Sequence, residues 1–334
     1  MAVRHPQSLL ERYRLMARMR AFEAACAEGI GTGELRGELH LATGQEGIAA
    51  GMAGSLRPGD WVVSTHRSHL HALAKGVEVI RLLAEVYEKA TGLSGGKGGH
   101  VHLFDPGARF STTGIVGSSL PVALGHAYAA RLDRSTDVAV GITGDGGVNT
   151  GQFHETLNMA AIWRLPLVIL VENNDYAISV PAAEAIAGPG IAARAAGYGA
   201  WGRRVDGTDV EAFENAFAQA MEHARSGAGP ALLEASCHRF RGHYEGDPDH
   251  YRKRTDRERM EADGDPIAKA RARLLAQGAD EGSLDTIDAA ASSEMAAALA
   301  EVRAAPAPDA ASAFTDVFAA SVVGTADRRA GDSR

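Results

Sequence analysis

Two apolar runs constrain this chain more than any other feature in it. DVAVGIT (137–143) and PLVILVE (166–172) both have strand length, and the segment between them has room for one helix, expected over 150–163. Strand, helix, strand in that order is a crossover unit, which sets the two strands parallel in one sheet with the helix packed on a face. The first run leads into GDGG and the second into NN. In a parallel sheet the carboxyl ends of the strands open onto one edge, and a right-handed crossover brings these two endings together there.

The rest of the chain extends the alternation. A helix is expected at 7–28, where Leu9, Leu10, Tyr13, Met16 and Phe22 recur at helical spacing, and others at 44–56, 68–75, 77–90 and 117–132. A strand at 61–65 falls among them. A helix at 191–198, a strand at 202–205, a helix at 209–225 and a strand at 230–236 follow, and 257–303 reads as helical. TGLSGGKGGHVHLFDPG (91–107) is too rich in glycine for a regular element. The fold class is therefore α/β, a doubly wound, mostly parallel sheet with helices on both faces. It forms a single domain over 1–325, followed by a flexible tail at 326–334.

Charge and composition remove several function classes. The 334 residues carry a net charge of −8 with the basic residues scattered, so the footprint of a nucleic-acid binder is missing. No run of 18 apolar residues offers a membrane span, and LLERYRLMARM near the N-terminus is amphipathic rather than a signal peptide. Cys26 and Cys237 stand far apart in no metal-ligand spacing, as expected of two buried thiols in a reducing compartment. These features read as a cytoplasmic protein.

Asp145 follows the first strand inside GDGG. A carboxylate there, an amide oxygen from Asn173 or Asn174 and a nearby helix N-terminus suit a hard cation carrying a diphosphate. Oxygen ligands would hold the ion while free backbone N–H groups face the anion. Taken alone, GDG reads more simply as a helix cap in a glycine turn. The spacing shifts that balance, because GDG followed after 26 residues by NN is the signature of thiamine diphosphate enzymes. Five further motifs agree: GELHLATGQEG (37–47), STHRSHLHALAKG (64–76), GGKGGHVHL (95–103), GIVGSSLP (114–121) and RGHYEGDPDHYR (241–252). From about residue 9 to 260 the chain resembles the alpha subunit of the thiamine diphosphate-dependent first component of 2-oxo acid dehydrogenase complexes.

The resemblance implies a thiamine diphosphate-binding fold and a set of roles. Asp145 and Asn174 would bind Mg2+ through side-chain oxygens and Tyr176 through its backbone carbonyl. Arg67 matches the diphosphate arginine, and beside it His66 stands where the pyruvate-using members have tyrosine. Gly146 and Gly147 let backbone approach the diphosphate, and Gly114 and Val116 match the segment touching the aminopyrimidine ring. His40 and His243 match the active-site histidines that donate hydrogen bonds or protons to the substrate carbonyl oxygen, with His69 supporting them.

No glutamate here matches the one that activates the pyrimidine ring; Glu46 and Glu155 read as first-turn helix carboxylates. In the family that glutamate comes from a beta subunit, so the implied assembly is an alpha2beta2 heterotetramer serving a lipoyl acyltransferase and a small oxo substrate. STHR and GHYEGD look like acetoin dehydrogenase alpha subunits. Pyruvate or branched-chain 2-oxo acid use is the alternative, and a non-catalytic cofactor-binding subunit a second one. Tyr244 follows His243, so the regulatory phosphoserine of animal pyruvate enzymes has no counterpart. Neither HRSHLH nor HVH has cysteine or carboxylate company at zinc-site spacing. GTGELRG (31–37) follows a helix rather than a strand, and GGKGGH has Gly98 where a phosphate loop needs Ser or Thr.

Overall fold

A computed structural model describes residues 8–317. Strand β1 (Trp61–Ser64) lies between β3 (Phe110–Thr112) and β4 (Ala139–Gly144), the central strand of the sheet. Beyond β4 come β5 (Leu167–Asn173), β9 (Ala231–Ser236) and β8 (Trp201–Asp206), and beyond β3 comes β2 (Phe104–Asp105). Six of these seven strands run parallel, and β2 pairs antiparallel with β3. A small separate hairpin joins β6 (Tyr176–Ala177) to β7 (Val180–Pro181).

The crossover expected from the two apolar runs is present. Helix α6 (Gly151–Ile162) connects β4 to β5, which pair in register from Ala139↔Leu167 to Gly144↔Glu172. Along β5 burial alternates between two cores, because successive strand side chains point to opposite faces. Leu167, Ile169 and Val171 pack with α5 (Ser119–Leu132) and α6, whereas Val168 and Leu170 belong to the larger core. That larger core holds α1 (Leu9–Gly31), α2 (Glu46–Ala53), α3 (His69–Lys75), α4 (Val79–Val86) and α8 (Val210–Arg225). Helix α7 (Ala182–Ala185) is one short turn after the hairpin. Helices therefore cover both faces of the sheet.

Helix α1 opens with a capping box, in which Ser8 accepts from the Glu11 amide and Glu11 reaches back to the Ser8 amide. Such a cap stabilises a helix by about 1 kcal/mol. Its buried face carries Tyr13, Met16, Met19, Phe22 and Cys26, and it packs on the long C-terminal helix α11 (Glu281–Ala304).

Two expectations need correction, and a third is met in more detail than the sequence offered: the helical 257–303 stretch is three helices, in which α9 (Arg254–Gly264) gives way to α10 (Pro266–Ala276), where Asp265 caps and Pro266 takes the first turn. Gly278, with φ +90°, then separates α10 from α11. Residues 192–198 form a 3-10 helix instead of an α-helix, seated so closely on β8 that a Cβ at Gly202 would meet the Ala192 carbonyl at 2.6 Å. Part of the presumed loop 91–107 is strand, since β2 lies within it and β3 follows; elements of two or three residues leave no periodicity to read. The expected tail at 326–334 lies outside the described residues.

Candidate active site

The parallel strands deliver the site. Past β1 come Thr65, His66 and Arg67, past β3 come Thr113, Ile115, Val116 and Gly117, past β4 come Asp145 to Gly147, past β5 comes Asn174, and beyond β9 come Arg239 and His243. Together they line a cavity of about 280 Å³ at the carboxyl edge of the sheet, where β3 and β4 flank β1 and α5 carries the chain across from β3 to β4.

The cavity carries a donor set with no partner. Asp145 Oδ2 and Asn174 Oδ1 are both buried without a hydrogen bond among the described residues. Each such orphan costs about 1–3 kcal/mol if nothing binds it. Burial pushes the Asp145 carboxyl up to about 6, against backbone N–H groups that favour the charged form. Oxygen donors of this kind fit a hard divalent cation. The two asparagines differ: Asn173 is spent on its neighbours, with Nδ2 donating to Glu234 at 2.9 Å and Oδ1 accepting from the Asp175 amide at 3.1 Å. Tyr176 lines the cavity beside Asn174.

The helix after GDGG begins within one residue of the expected start, after a short turn of its own. Gly147–Asn149 form a 3-10 turn, and α6 starts at Gly151. Neither glycine has space for a side chain, since a Cβ on Gly146 would lie 2.7 Å from the Ala177 Cβ, and one on Gly147 would strike the Thr143 hydroxyl. Val116 lines the cavity and is 57% exposed, whereas Gly114 stands just outside, packed on Val101.

Arg67 is buried in the wall of this cavity. Its guanidinium donates to the carbonyl oxygens of Leu41 and of His243, the latter at 2.9 Å. Burial lowers its pKa to about 10, which leaves it a cation at neutral pH. Two residues not identified from sequence join it. Arg239 is a second buried cation, held by the Ile178 carbonyl at 3.0 Å and Tyr251 at 2.8 Å, with Nε unpartnered. Gln45 lines the cavity with both amide atoms buried and unpartnered.

Histidines gather at one end. His40 packs against His66 at 4.5 Å and His243 at 4.8 Å between ring centroids, and its Nδ1 lies 3.2 Å from His100 Nε2. Burial, then the charge of Arg67, lowers His40 to about 3, His66 to about 2 and His243 to about 4; burial, then His69, lowers His100 to about 4. All four are uncharged at neutral pH. His69 stands behind them, fully buried, with Nδ1 3.0 Å from Glu23, whose other oxygen accepts from the Ala42 amide. His71 bridges Ser64 at 2.9 Å and Glu172 at 3.1 Å. The three histidines of HRSHLH thus diverge, and only His66 reaches the cavity.

His100 rides on the glycine-rich loop, which one carboxylate organises. Glu85, fully buried, accepts from the amides of Ser94 at 2.7 Å, Gly96 at 2.9 Å and Gly98 at 2.7 Å. Glu85→Ala leaves three N–H groups without their acceptor, and the expected loss is about 2–4 kcal/mol of stability in a denaturant titration. Hydrogen exchange at 94–98 should rise by at least ten-fold; unchanged protection there would show that the loop does not depend on Glu85.

Glu172 is the glutamate lining the cavity, and it is engaged by His71. Glu46 pairs with Arg20 and accepts from the Gly44 amide, away from the cavity.

The fold is that of a thiamine diphosphate-dependent dehydrogenase component, and the chain belongs to the dehydrogenase E1 component family, whose model matches residues 14–311. Among its relatives is the pyruvate dehydrogenase E1 component subunit alpha of Rhizobium meliloti, 38% identical over 311 residues that cover 92% of this chain and 89% of the relative. The acetoin:2,6-dichlorophenolindophenol oxidoreductase alpha subunits of Bacillus subtilis and Cupriavidus necator are each 38% identical. Those alignments cover 92% of this chain and 92% of the first, and 93% of this chain and 94% of the second. Membership implies thiamine diphosphate as cofactor and, in general, a beta chain as partner. No helix among the described residues is long and apolar enough to cross a membrane.

Proposed function

We propose that this chain is the alpha half of an alpha2beta2 enzyme, cytoplasmic in location, that uses Mg2+ and thiamine diphosphate to cleave acetoin. It passes the acyl group to the lipoyl disulfide of an acyltransferase, which accepts the electrons. The cofactor, when bound, supplies a carbon nucleophile and an electron sink for the bond broken beside the carbonyl. Asp145, Asn174 and the Tyr176 carbonyl hold the cation, which fits the two orphaned oxygens. Arg67 and Arg239 face the diphosphate, and Val116, with Gly114 behind it outside the cavity wall, flanks the pyrimidine. His40 and His243 donate to the substrate oxygen as it gains charge, in a setting with little water where such bonds count most.

The observation that carries acetoin over a 2-oxo acid is the uncharged histidine end of the cavity. A carboxylate substrate gains most from an uncommitted cation there, and Arg67, the cation beside these rings, is committed to the carbonyl oxygens of Leu41 and His243. Glu245, the acidic residue of GHYEGD that would repel a substrate carboxylate if it faced the site, pairs with Arg241 at 3.2 Å and does not line the cavity, so its charge plays no part in the choice. The partner chain is supported by apolar surface: Val122, Tyr128 and Leu132 on α5 and Ile162 and Trp163 at the end of α6 are exposed on adjacent helices.

The deciding experiment reconstitutes the alpha and beta chains with an artificial electron acceptor and compares kcat/KM on acetoin, pyruvate and branched 2-oxo acids. Acetoin is expected to lead, with Glu245→Gln changing the ratio by less than about two-fold, under 0.5 kcal/mol. A lead of ten-fold or more for pyruvate, about 1.4 kcal/mol, overturns acetoin and leaves the pyruvate reading.

A further inference from the structure

We propose that His40, His66 and His243 form a binding site for a soft divalent transition metal, zinc by its chemistry, and that filling it shuts the enzyme off. Binding stands on the three side chains alone; inhibition rests on the function proposed above.

The three residues come from separate segments: His40 precedes α2, His66 follows β1, and His243 lies in the loop after β9. Their candidate donor nitrogens all lie within 4.8 Å of one another. The His66 and His243 rings stand 5.5 Å apart, and His40 meets both edge to face, so the three converge on one point rather than stack. His243 Nδ1 is buried and unpartnered. His40 has Nδ1 on His100, which orients the ring and leaves Nε2 free to bind.

Zinc bonds of about 2.0–2.1 Å put tetrahedral nitrogen ligands roughly 3.4 Å apart. The site must therefore contract by about 1.4 Å at its widest, within reach of side-chain rotation at partly exposed His66 and His243. Three imidazoles with a fourth position open to water form a set zinc favours and magnesium does not. The oxygen donors at Asp145 and Asn174 have the opposite preference, so one cavity would sort two metals to its two ends. Zinc on the histidines would consume the groups that face the substrate oxygen. Inhibition should then compete with the oxo substrate and not with thiamine diphosphate.

The test uses the assembled alpha and beta chains saturated with Mg2+ and thiamine diphosphate. Zn2+ is titrated calorimetrically, and Co2+ is used as an optical probe, because tetrahedral cobalt absorbs far more strongly than octahedral cobalt on oxygen ligands. One equivalent of Zn2+ per alpha chain is expected, with a tetrahedral cobalt spectrum. His66→Phe should weaken Zn2+ by at least about ten-fold, and so should His243→Gln, while circular dichroism shows both folded. Absence of saturable Zn2+, an octahedral cobalt spectrum, or affinity unchanged in both variants overturns the proposal. Tight tetrahedral binding in a complex that turns over no oxo substrate upholds the metal site and defeats the proposed function instead. Turnover without Zn2+ binding does the reverse.

Discussion

Asp145→Ala is expected to abolish magnesium-dependent binding of thiamine diphosphate by the assembled enzyme while leaving the chain folded. Calorimetry should show at least a hundred-fold loss of cofactor affinity, about 2.7 kcal/mol. The carboxylate is 3% exposed with one oxygen unpartnered, so it is a costly group in the absence of a cation. Removing it should leave the metal-free melting temperature unchanged or slightly raised. A loss of cofactor with a melting temperature lowered by ten degrees would mean that Asp145 supports the fold, and unchanged affinity would remove it from the cation site. Asn174→Ala should follow the same pattern, whereas Asn173→Ala should mainly destabilise, since Asn173 ties β5 to Glu234.

Expressed alone, the chain is expected to bind thiamine diphosphate at least ten-fold more weakly than the complex and to turn nothing over. Two features of the cavity edge argue for this. Ile115 is 67% exposed beside it, an apolar side chain in water where a buried site would have cover. Among the described residues one glutamate lines the cavity, Glu172, and its Oε1 is already engaged by His71 at 3.1 Å. With its beta chain the protein should sediment as a heterotetramer and gain activity. Full turnover from the purified single chain would refute the divided site. A heterotetramer inactive on every oxo substrate would favour the non-catalytic alternative.

The local order of elements was open to reading because each depends on neighbours in sequence. The two apolar runs implied parallel β4 and β5, and GDG and NN implied a shared edge, since a right-handed crossover admits no other arrangement. The same logic could not choose between Asn173 and Asn174, because their side chains leave the strand on opposite sides. Only the pairing of β5 with β9 brings Glu234 up to claim the first and leave the second free. Arg239, Gln45 and His100 were missed for a related reason: each is ordinary in its own segment and gains meaning from what folds against it.

The glycine-rich loop shows the limit from the other side. Its composition was read as excluding any regular element, which overlooked β2, and nothing within 91–107 announced that Glu85, from the preceding helix, would gather three of its amides. The histidines complete the contrast. HRSHLH looks like one cluster in sequence, but Glu23 and Glu172 draw off His69 and His71, while His40 and His243 arrive from 26 residues before and 177 residues after His66 to meet it. Sequence by itself determined the fold class, the family and the sheet edge at which the cavity opens, because periodicity and spacing are properties of a chain. Tertiary structure alone decided which side chains stay unpaired in the cavity, because a hydrogen-bond partner is a neighbour in space and its distance along the chain carries no information.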